Sequence, residues 1–396
     1  MRQHLIEGTT PFITDSDAKI SKEMAVFFNP MMKLNRDTTL VALLATGAPS
    51  EALRVALPME ASGLRAARIL NELVRPKLFV PKAVAVNDLS PAAIAYAKEN
   101  IALNSEGIAV DDAARFVLSS LDANIFLRQR HFDYIDVDPF GTPNPFLDAA
   151  VQSIKRGGIL GVTATDTAAL AGTYPAATAR KYWSVPSRTW LMHEVGMRIL
   201  VRKVQLVAAQ HEKALVPLLS LSTDHYYRVL FRCEQSVAGV RGVLRNHRYL
   251  VVCPACMQTG VSDENTGACA ACGKRADVAG PLWAGPLHDK AFIAAMLVAA
   301  EKLDAISKDV APFKELHALL VIILDECRVG TVGFYDVHEI ASRYKVPVPR
   351  REALLARLGE HGCRTHISGH GVKTDLPVAE IAALLKKMQD EKMESS

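Results

Sequence analysis

The sequence contains no apolar run of membrane-spanning length, no internal repeat and no low-complexity tract. An apolar run that starts at Ala291 is interrupted by Glu301 and Lys302, before it reaches the roughly 20 residues that cross a bilayer. The N-terminal residues are too polar for a signal peptide. These features predict a soluble, cytoplasmic protein that does not associate with membranes. A chain of 396 residues, 49% of them hydrophobic, is long enough for two or three domains.

Neither sign of charge is in large excess. The 46 Lys and Arg residues and the 42 Asp and Glu residues give a formal net charge of only +4. Such a small excess permits nucleic-acid binding where basic residues cluster, but it does not require it. Small basic groups do occur, as at Arg350-Arg351, and each can equally be a solvated face. No obligate protein partner is implied.

The seven cysteines do not form the even-numbered set of a secreted disulfide framework. Four of them follow the spacing C-x2-C-x12-C-x2-C, and these are Cys253, Cys256, Cys269 and Cys272. Two such pairs can supply four thiolates in tetrahedral geometry, which leaves no open position on the metal. We therefore predict a structural Zn²⁺ ion, with unliganded cysteines as the alternative.

Residues 53–234 alternate between short apolar runs and helical patterns. This alternation predicts an α/β fold with a parallel sheet, and the final hairpin gives it the outline of a Rossmann-like, class I methyltransferase sheet. The predicted strands are Leu53–Pro58, Ala83–Asn87, Ala114–Ser119, Phe132–Val137 and Ile159–Ala164, then Leu215–Ser222 and Tyr226–Cys233. The predicted helices are Leu64–Val74, Pro91–Leu103, Pro145–Lys155, which Gly157-Gly158 should end, and Arg188–Val204.

The first predicted strand leads into a turn with a single glycine, Gly63, at the start of a helix. A full G-x-G-x-x-G motif is absent, but helix N-termini favour anionic groups, and Arg65 could meet a ligand carboxylate. Asp88 follows the second strand, 25 residues after Gly63, where an acid can hydrogen-bond ribose hydroxyls. Alternatively, Arg65 is a surface residue and Asp88 caps the next helix.

Acidic residues also follow the next three strands. Asp122 with Ala123 comes after the third, and either binds an adenine ring or caps a helix. The fourth strand ends in Asp138-Pro139-Phe140-Gly141, which places a proton acceptor beside a flat apolar ring. Asp166 follows the fifth. Because the carboxyl ends of parallel strands share one edge of a sheet, these groups predict a single cleft.

Together, these motifs resemble those of the tRNA guanine-26 N2-dimethyltransferase family, of the archaeal type. The resemblance covers roughly residues 5–235 and then the cysteine segment. It is carried by Asp136-Val-Asp138-Pro139-Phe140-Gly141-Thr-Pro, Val162-Thr-Ala-Thr-Asp166-Thr, Phe27-Phe28-Asn29-Pro30, Asn35-Arg36-Asp37 and His193-Glu194-Val-Gly-Met-Arg198. The sequence departs from the family at Met59-Glu60, where an aspartate and small residues are expected.

The resemblance implies S-adenosylmethionine as methyl donor and tRNA as substrate. The donor would be held by Arg36, Arg65, Asp88, Asp122 and Ala123. The guanine would be held by Phe27, Phe28, Pro139 and Phe140. Asp138 would be the catalytic residue, accepting the proton that the guanine amine loses.

Three domains are expected: a methyltransferase domain at 1–247, a zinc ribbon at 248–279 and a C-terminal tRNA-binding domain at 280–396. Gly280-Pro281 predicts a linker between the last two. The C-terminal domain is predicted to be mainly helical, and the helices Asp336–Tyr344 and Arg350–Gly359 before a hairpin have a winged-helix-like pattern. Two alternatives to the dimethyltransferase remain: a DNA amino-methyltransferase and a non-catalytic zinc-ribbon protein that binds nucleic acid.

Overall fold

The computed structural model describes residues 2–15, 26, 28–223, 225–307 and 311–394. Within these ranges a seven-stranded mixed sheet is the largest element, and three smaller sheets accompany it. No helix in the described ranges has both the length and the apolar character needed to cross a bilayer.

The N-terminus forms an antiparallel hairpin of β1 (Arg2–Glu7) and β2 (Thr10–Asp15). Helix α1 (Lys33–Leu44) follows a 3₁₀ turn, and Asn29 caps that turn by accepting a hydrogen bond from the Met31 amide. This N-terminal segment is joined to the rest of the protein by polar contacts described below.

The central sheet has the strand order β5-β4-β3-β6-β7-β9-β8. Its strands are β3 (Arg54–Leu57), β4 (Ala83–Asn87), β5 (Phe116–Ser119), β6 (Phe132–Val137), β7 (Ile154–Ala164), β8 (Lys213–Ser222) and β9 (Tyr227–Gln235). The first five run parallel, and β8 and β9 form the antiparallel hairpin. Strand order reverses between β3 and β6, and open sheets of this kind bind ligands at that reversal.

Helices connect the strands and cover both faces of the sheet. They are α2 (Leu64–Arg68, continued by a π-helical turn, Ile69–Val74), α3 (Pro91–Leu103), α4 (Val110–Ala113), α5 (Ala123–Arg128), α6 (Asn144–Ser153), α7 (Thr167–Leu170), α8 (Pro175–Tyr182), α9 (Met192–Ala209) and α10 (Val237–Arg245). Ser90 caps α3 and Pro91 is its first residue, as predicted, because proline fits where no helical N–H partner is needed. The predicted α/β alternation is confirmed.

The helix predicted at Arg188–Val204 begins and ends later, as α9 (Met192–Ala209), and the boundary predicted between α6 and β7 was also wrong. Helix α6 ends at Ser153, and Gly157 and Gly158 lie inside β7 instead of starting a strand at Ile159. A Cβ atom at Gly158 would lie 2.8 Å from the Asp133 carbonyl oxygen, so the glycine allows close pairing of β7 with β6. Ile154, Lys155 and Arg156 precede the glycines and extend the strand beyond the predicted range.

A three-stranded sheet in the order β11-β10-β12 holds the cysteine segment. Its strands are β10 (His247–Val252), β11 (Thr259–Ser262) and β12 (Asp277–Trp283). The linker predicted at Gly280-Pro281 therefore lies within a strand. The following helices, α11 (Lys290–Ile306) and α12 (Lys314–Glu326), share one buried apolar cluster with α1 and the central sheet. The core of the central sheet therefore continues past residue 280.

The C-terminal segment has its own small core and the elements that its sequence pattern predicts. They are β13 (Tyr335–Asp336), α13 (Val337–Tyr344), α14 (Arg351–Leu358), β14 (Gly362–Arg364), β15 (Gly371–Thr374) and α15 (Val378–Glu394). The two helices and the hairpin are confirmed, and the winged-helix assignment stays a prediction.

Candidate active site

A cavity of about 370 Å³ lies at the carboxyl ends of the central strands, at the strand-order reversal. Four strand ends and the segment before α1 contribute to its wall. The lining residues are Phe28, Asn29, Met32, Arg36, Met59, Glu60, Ala61, Ser62, Leu64, Arg65, Asp88, Asp138, Pro139, Phe140, Thr165 and His225. Most of the site residues predicted from the sequence therefore surround one space.

The glycine turn after β3 forms the floor of this cavity. Gly63 has a left-handed backbone, and a Cβ atom there would lie 2.5 Å from Ala97 of α3. The carboxylate of Asp88 braces the same turn, since its two oxygens accept hydrogen bonds from the amides of Ala61 and Ser90, both at 2.9 Å. Asp88 therefore lines the cavity and also caps the turn before α3, so the two predicted roles are compatible.

Glu60 is a buried acid in the cavity wall. Its Oε1 accepts a hydrogen bond of 2.9 Å from the Ala66 amide in the first turn of α2. Burial raises the pKa of Glu60 to about 7, although the nearby Arg65 guanidinium opposes this shift. This residue, where the sequence departs from the family pattern, therefore changes protonation state near neutral pH.

Asp138 at the end of β6 is held by two side chains from other elements. Arg65 Nη2 donates to Asp138 Oδ2 at 2.6 Å and to Asn35 Oδ1 at 2.9 Å. Asn35 Nδ2 lies 3.5 Å from Asp138 Oδ1 and also donates to Thr163 Oγ1 at 3.1 Å. The carboxylate of Asp138 is thus oriented in the cavity wall with 13% of its side chain exposed.

A buried ionic layer lies beneath Asp138. Asp136, two residues earlier in β6, accepts two hydrogen bonds from Arg228 at 2.9 and 2.8 Å and one from Thr39 at 2.7 Å. Arg65 Nη1 lies 3.4 Å from Asp136 Oδ1. Burial alone would raise the pKa of Asp136, but Arg228 and Arg65 hold it far below its ordinary value. Two carboxylates and two guanidiniums therefore form one fixed unit.

The N-terminal hairpin is tied to α1 beside the cavity. Both Arg36 Nε, at 2.7 Å, and Arg36 Nη2 donate to the Glu7 carboxylate. Arg68 Nη1 approaches the same carboxylate at 3.0 Å. Burial alone would raise the pKa of Glu7, but these guanidiniums hold it below its ordinary value. The Arg36 guanidinium also lies 5.4 Å from the Phe28 ring centre, so this ion pair positions an aromatic wall of the cavity.

The opposite rim carries Phe140, of which 73% is exposed, beside the buried Pro139. The loop after β6 is fixed by Thr165, whose Oγ1 accepts from the Gly141 amide at 2.6 Å. Asp166 does not take part in the cavity. It accepts from Tyr182 Oη at 2.6 Å and pairs with Lys181 at 3.1 Å.

Two of the predicted donor-binding residues, Asp122 and Ala123, stand apart from the cavity wall. Asp122 is the N-cap of α5, accepting from the amides of Asn124 and Ile125, and neither it nor Ala123 is among the described residues that line the cavity. Phe27 lies outside the described residues.

The cysteine spacing brings four sulfurs together. The Sγ atoms of Cys253 and Cys272 are 3.6 Å apart, as are those of Cys256 and Cys269, and all four lie within 4.8 Å of one another. Tetrahedral coordination at a metal–sulfur distance of about 2.3 Å needs sulfurs at this spacing. The two pairs sit in equivalent turns, because the amides four residues on, Met257 and Gly273, donate to the first cysteine carbonyl of each pair.

Sequence reasoning missed the residues that support Asp138, namely Asn35, Asp136 and Arg228. Asp136 had a signal, since a second acid in a buried strand needs a partner. Arg228 lies 92 residues away along the chain, so no local pattern pairs it with Asp136. The motif around Glu194 also proved structural: its carboxylate accepts from Arg198 and from the Gly333 amide, both at 2.8 Å, which ties α9 to the C-terminal segment.

The seven-stranded order, the glycine turn and the acid after β6 define this protein as a Rossmann-like methyltransferase. The chain belongs to the N2,N2-dimethylguanosine tRNA methyltransferase family, whose pattern it matches over residues 8–386. The resemblance found in the sequence is thereby confirmed.

Similar proteins cover nearly the whole chain. A tRNA (guanine(26)-N(2)/guanine(27)-N(2))-dimethyltransferase from Aquifex aeolicus is 38% identical over 97% of this chain and 95% of its own length. A tRNA (guanine(26)-N(2))-dimethyltransferase from Methanothermobacter thermautotrophicus is 36% identical over 97% of this chain and 99% of its own. The structure of Trm1 from Pyrococcus horikoshii with S-adenosyl-L-methionine has a TM-score of 0.81 at 30% identity, covering 96% of this chain and 99% of that one.

Proposed function

We propose that this protein dimethylates the exocyclic N2 amine of guanine 26 in tRNA, with S-adenosylmethionine as methyl donor and Asp138 as proton acceptor. The observation that carries the proposal is the position of Asp138. Its carboxylate is fixed in the wall of the cavity at the strand-order reversal, together with the glycine turn and the exposed ring of Phe140. A non-catalytic nucleic-acid-binding protein has no need of this arrangement.

The cavity residues fit the methyl donor. Arg65 Nε is buried without a hydrogen-bond partner among the described residues, and a donor carboxylate would satisfy it. Arg36 stands on the same wall. The Asp88 oxygens each accept one amide hydrogen and keep further lone pairs for ribose hydroxyls. The bound donor supplies a methyl group activated by its positively charged sulfur.

The adenine end of the donor is assigned to Asp122 and Ala123. Strand β5 neighbours β4 in the sheet, so a molecule whose ribose meets Asp88 at the end of β4 would extend toward the end of β5. Ala123 carries a small side chain that leaves room for a ring. Asp122 would accept a hydrogen bond from the adenine amino group in addition to capping α5.

Guanine needs help to react, because the lone pair of its exocyclic amine is delocalised into the ring. A carboxylate that accepts an N–H hydrogen localises that lone pair and takes up the proton released on methylation. Asp138, which lines the cavity, would perform both tasks. Phe28, Pro139 and Phe140 line the same cavity and would hold the flat base, offsetting part of the cost of removing it from its stack. Phe27 is assigned to the same group by its sequence position.

The remaining segments are assigned to tRNA binding and to stability. The four cysteine sulfurs would hold one Zn²⁺ ion, with no open position for catalysis. We assign residues 1–247 to methyl transfer, 248–279 to the zinc module and 280–396 to tRNA binding, with α11 and α12 also supporting the catalytic core. A winged-helix-like role for the C-terminal helices fits this assignment.

A direct experiment tests the proposal. Unmodified tRNA is incubated with the protein and S-adenosylmethionine, and its nucleosides are identified by mass spectrometry. We expect N2,N2-dimethylguanosine, and none from tRNA whose guanine 26 is replaced by adenine. A parallel incubation with duplex and single-stranded DNA tests the alternative substrate. Product only from DNA, or no methylated nucleoside with either, would overturn the proposal.

A further inference from the structure

The segment that follows β7 has an unusual charge. Between Asp166 and Glu194 the sequence contains no aspartate or glutamate, but it contains Arg180, Lys181 and Arg188. In the structure Arg180 and Arg188 are exposed, and Lys181 is half-buried against Asp166. A surface with cations and no acids of its own attracts an anionic partner.

The C-terminal end of α8 in this segment is attached to the loop after β6. Tyr182 Oη donates to Asp166 at 2.6 Å and lies 3.0 Å from Thr142 Oγ1, just beyond Gly141 in the loop after β6. Asn144 Nδ2 donates to the Lys181 carbonyl at 2.8 Å. The position of α8 is therefore coupled to the loop that carries Asp138.

Just beyond α8, the segment is attached to the cysteine-bearing sheet. The amide of Val185 donates to the Gly280 carbonyl at 2.9 Å, and the Gly280 amide donates back at 2.8 Å. Ser184 Oγ donates to the Pro281 carbonyl at 2.8 Å. Residues 181–185 thus contact both the loop after β6 and the sheet that holds the cysteines.

Two aromatic rings are exposed in this segment. Tyr174 is 62% exposed and Trp183 is 50% exposed. Trp183 is held in place: its backbone is left-handed, its carbonyl accepts from Arg202 at 3.0 Å, and Lys203 Nζ lies 3.0 Å from its ring centre. Trp183 therefore presents a large ring at the surface, on a left-handed backbone that residues other than glycine rarely adopt.

We propose that residues 172–188 form a contact surface for the tRNA, which we call the α8 surface. Arg180 and Arg188 contact phosphates, while Tyr174 and Trp183 stack against nucleotides near the guanine in the cavity. RNA fits this surface better than a protein or a membrane does. Its phosphates can pair with the arginines, and its bases can stack on the exposed aromatic rings. The inference rests on the proposed function. It gives the tRNA a second contact surface, separate from the C-terminal domain.

Variants of the aromatic residues test the stacking contacts. Full-length Tyr174→Ala and Trp183→Ala should each weaken binding of unmodified tRNA by roughly tenfold, the effect of losing one stacked base. Trp183→Phe keeps a ring and should retain most of the affinity. S-adenosylmethionine binding, measured by calorimetry, should not change in any of them. Two separate aromatic positions keep the test valid if one variant folds poorly.

A charge variant tests the phosphate contacts. The double variant Arg180→Gln and Arg188→Gln should weaken tRNA binding and reduce the slope of log affinity against log salt by roughly 1 to 2. Arg130→Gln is the matched control, since Arg130 is exposed and precedes β6 at the opposite edge of the sheet. The control should retain the wild-type slope.

The outcomes separate this inference from the proposed function. Wild-type tRNA affinity in Tyr174→Ala, in Trp183→Ala and in the double arginine variant, with a wild-type salt slope in the last, would overturn the inference, even with normal dimethylguanosine formation. Loss of affinity that only accompanies a lower melting temperature would also overturn it, because the role would then be structural. Failure of the wild-type protein to form dimethylguanosine would instead refute the proposed function.

Discussion

Arg65 Nη2 lies 2.6 Å from Asp138 Oδ2, joining the first helix after the glycine turn to the acid at the end of β6. The same guanidinium reaches Asp136 through Nη1 at 3.4 Å. The sequence predicted Arg65 either as a ligand for the methyl donor or as a surface residue, and the side chain is buried. The structure gives it a second task, which is to hold the proposed proton acceptor in a fixed orientation.

Replacing the proton acceptor should abolish most of the activity. Asp138→Asn keeps the side-chain volume but cannot take up a proton, so methyl transfer to tRNA should fall by roughly 10²- to 10⁴-fold. The rate is measured as dimethylguanosine formed under single-turnover conditions. Asp111→Asn, at an exposed position in α4, is the control and should behave as wild type. An Asp138→Asn rate within a few-fold of wild type would move the proton acceptor elsewhere.

Removing the shared guanidinium should destabilise the fold. Arg65→Met leaves the carboxylates of Asp136 and Asp138 without one of their cations in a buried site, which typically costs about 3–5 kcal/mol. Denaturant unfolding measures the change in free energy. Arg130→Met, at an exposed position, should change it by less than about 0.5 kcal/mol. Equal stability of the two variants would contradict the structural role of Arg65.

The pKa of Glu60 predicts a pH dependence of stability. Burial raises this pKa to about 7, whereas the unfolded chain releases the proton near 4.5. Between these two pH values the folded state binds more protons than the unfolded state. The contribution of Glu60 to the unfolding free energy is therefore fully present below about pH 4.5, and it decreases as the pH rises to about 7. Glu60→Gln should remove this loss, which amounts to at most about 3 kcal/mol.

The measurement is the unfolding free energy of the donor-free protein across this pH range. Glu60→Gln should gain stability relative to wild type as pH rises, and the gain should level off above pH 7. Glu51→Gln, at an exposed position, should follow the wild-type curve throughout. A constant difference between Glu60→Gln and wild type from pH 4.5 to 7.5 would rule out the raised pKa.

Loss of one cysteine should empty the predicted zinc site. Cys253→Ser removes one of four sulfurs that lie within 4.8 Å of one another, so zinc content should fall from about one ion per chain toward zero. Elemental analysis of the purified protein measures this. Cys327→Ser lies outside the quartet and should keep its zinc. Full retention of one zinc by Cys253→Ser would exclude this site.

Close packing at the glycine turn can be separated from backbone strain. Gly63→Ala places a Cβ atom 2.5 Å from Ala97 at a positive φ. It should therefore destabilise the protein by roughly 3 kcal/mol or more and weaken donor binding. Gly47→Ala has a similar φ of +69° but open space around it, and should cost only about 1–2 kcal/mol. Thermal unfolding and donor titration compare the two, and an equal cost would show that packing is unimportant.

The sequence by itself determined the features that depend on neighbouring residues. The alternation of apolar runs and helices, the Ser90-Pro91 helix start, the acids after successive strands and the spacing of the cysteines each depend on residues close together in the chain. They were enough to predict the parallel sheet, the position of Asp138 at its edge and the sulfur cluster.

The tertiary structure decided which side chains meet. It joined Arg65 to Asp138 and Arg228 to Asp136, and it turned Asp166 away from the cavity toward Tyr182. These pairings depend on strand order and on the direction of each side chain, which bring residues together across up to 92 positions. Hydrogen bonds and ion pairs act over a few ångströms, so only the folded arrangement selects among the many partners that the sequence allows.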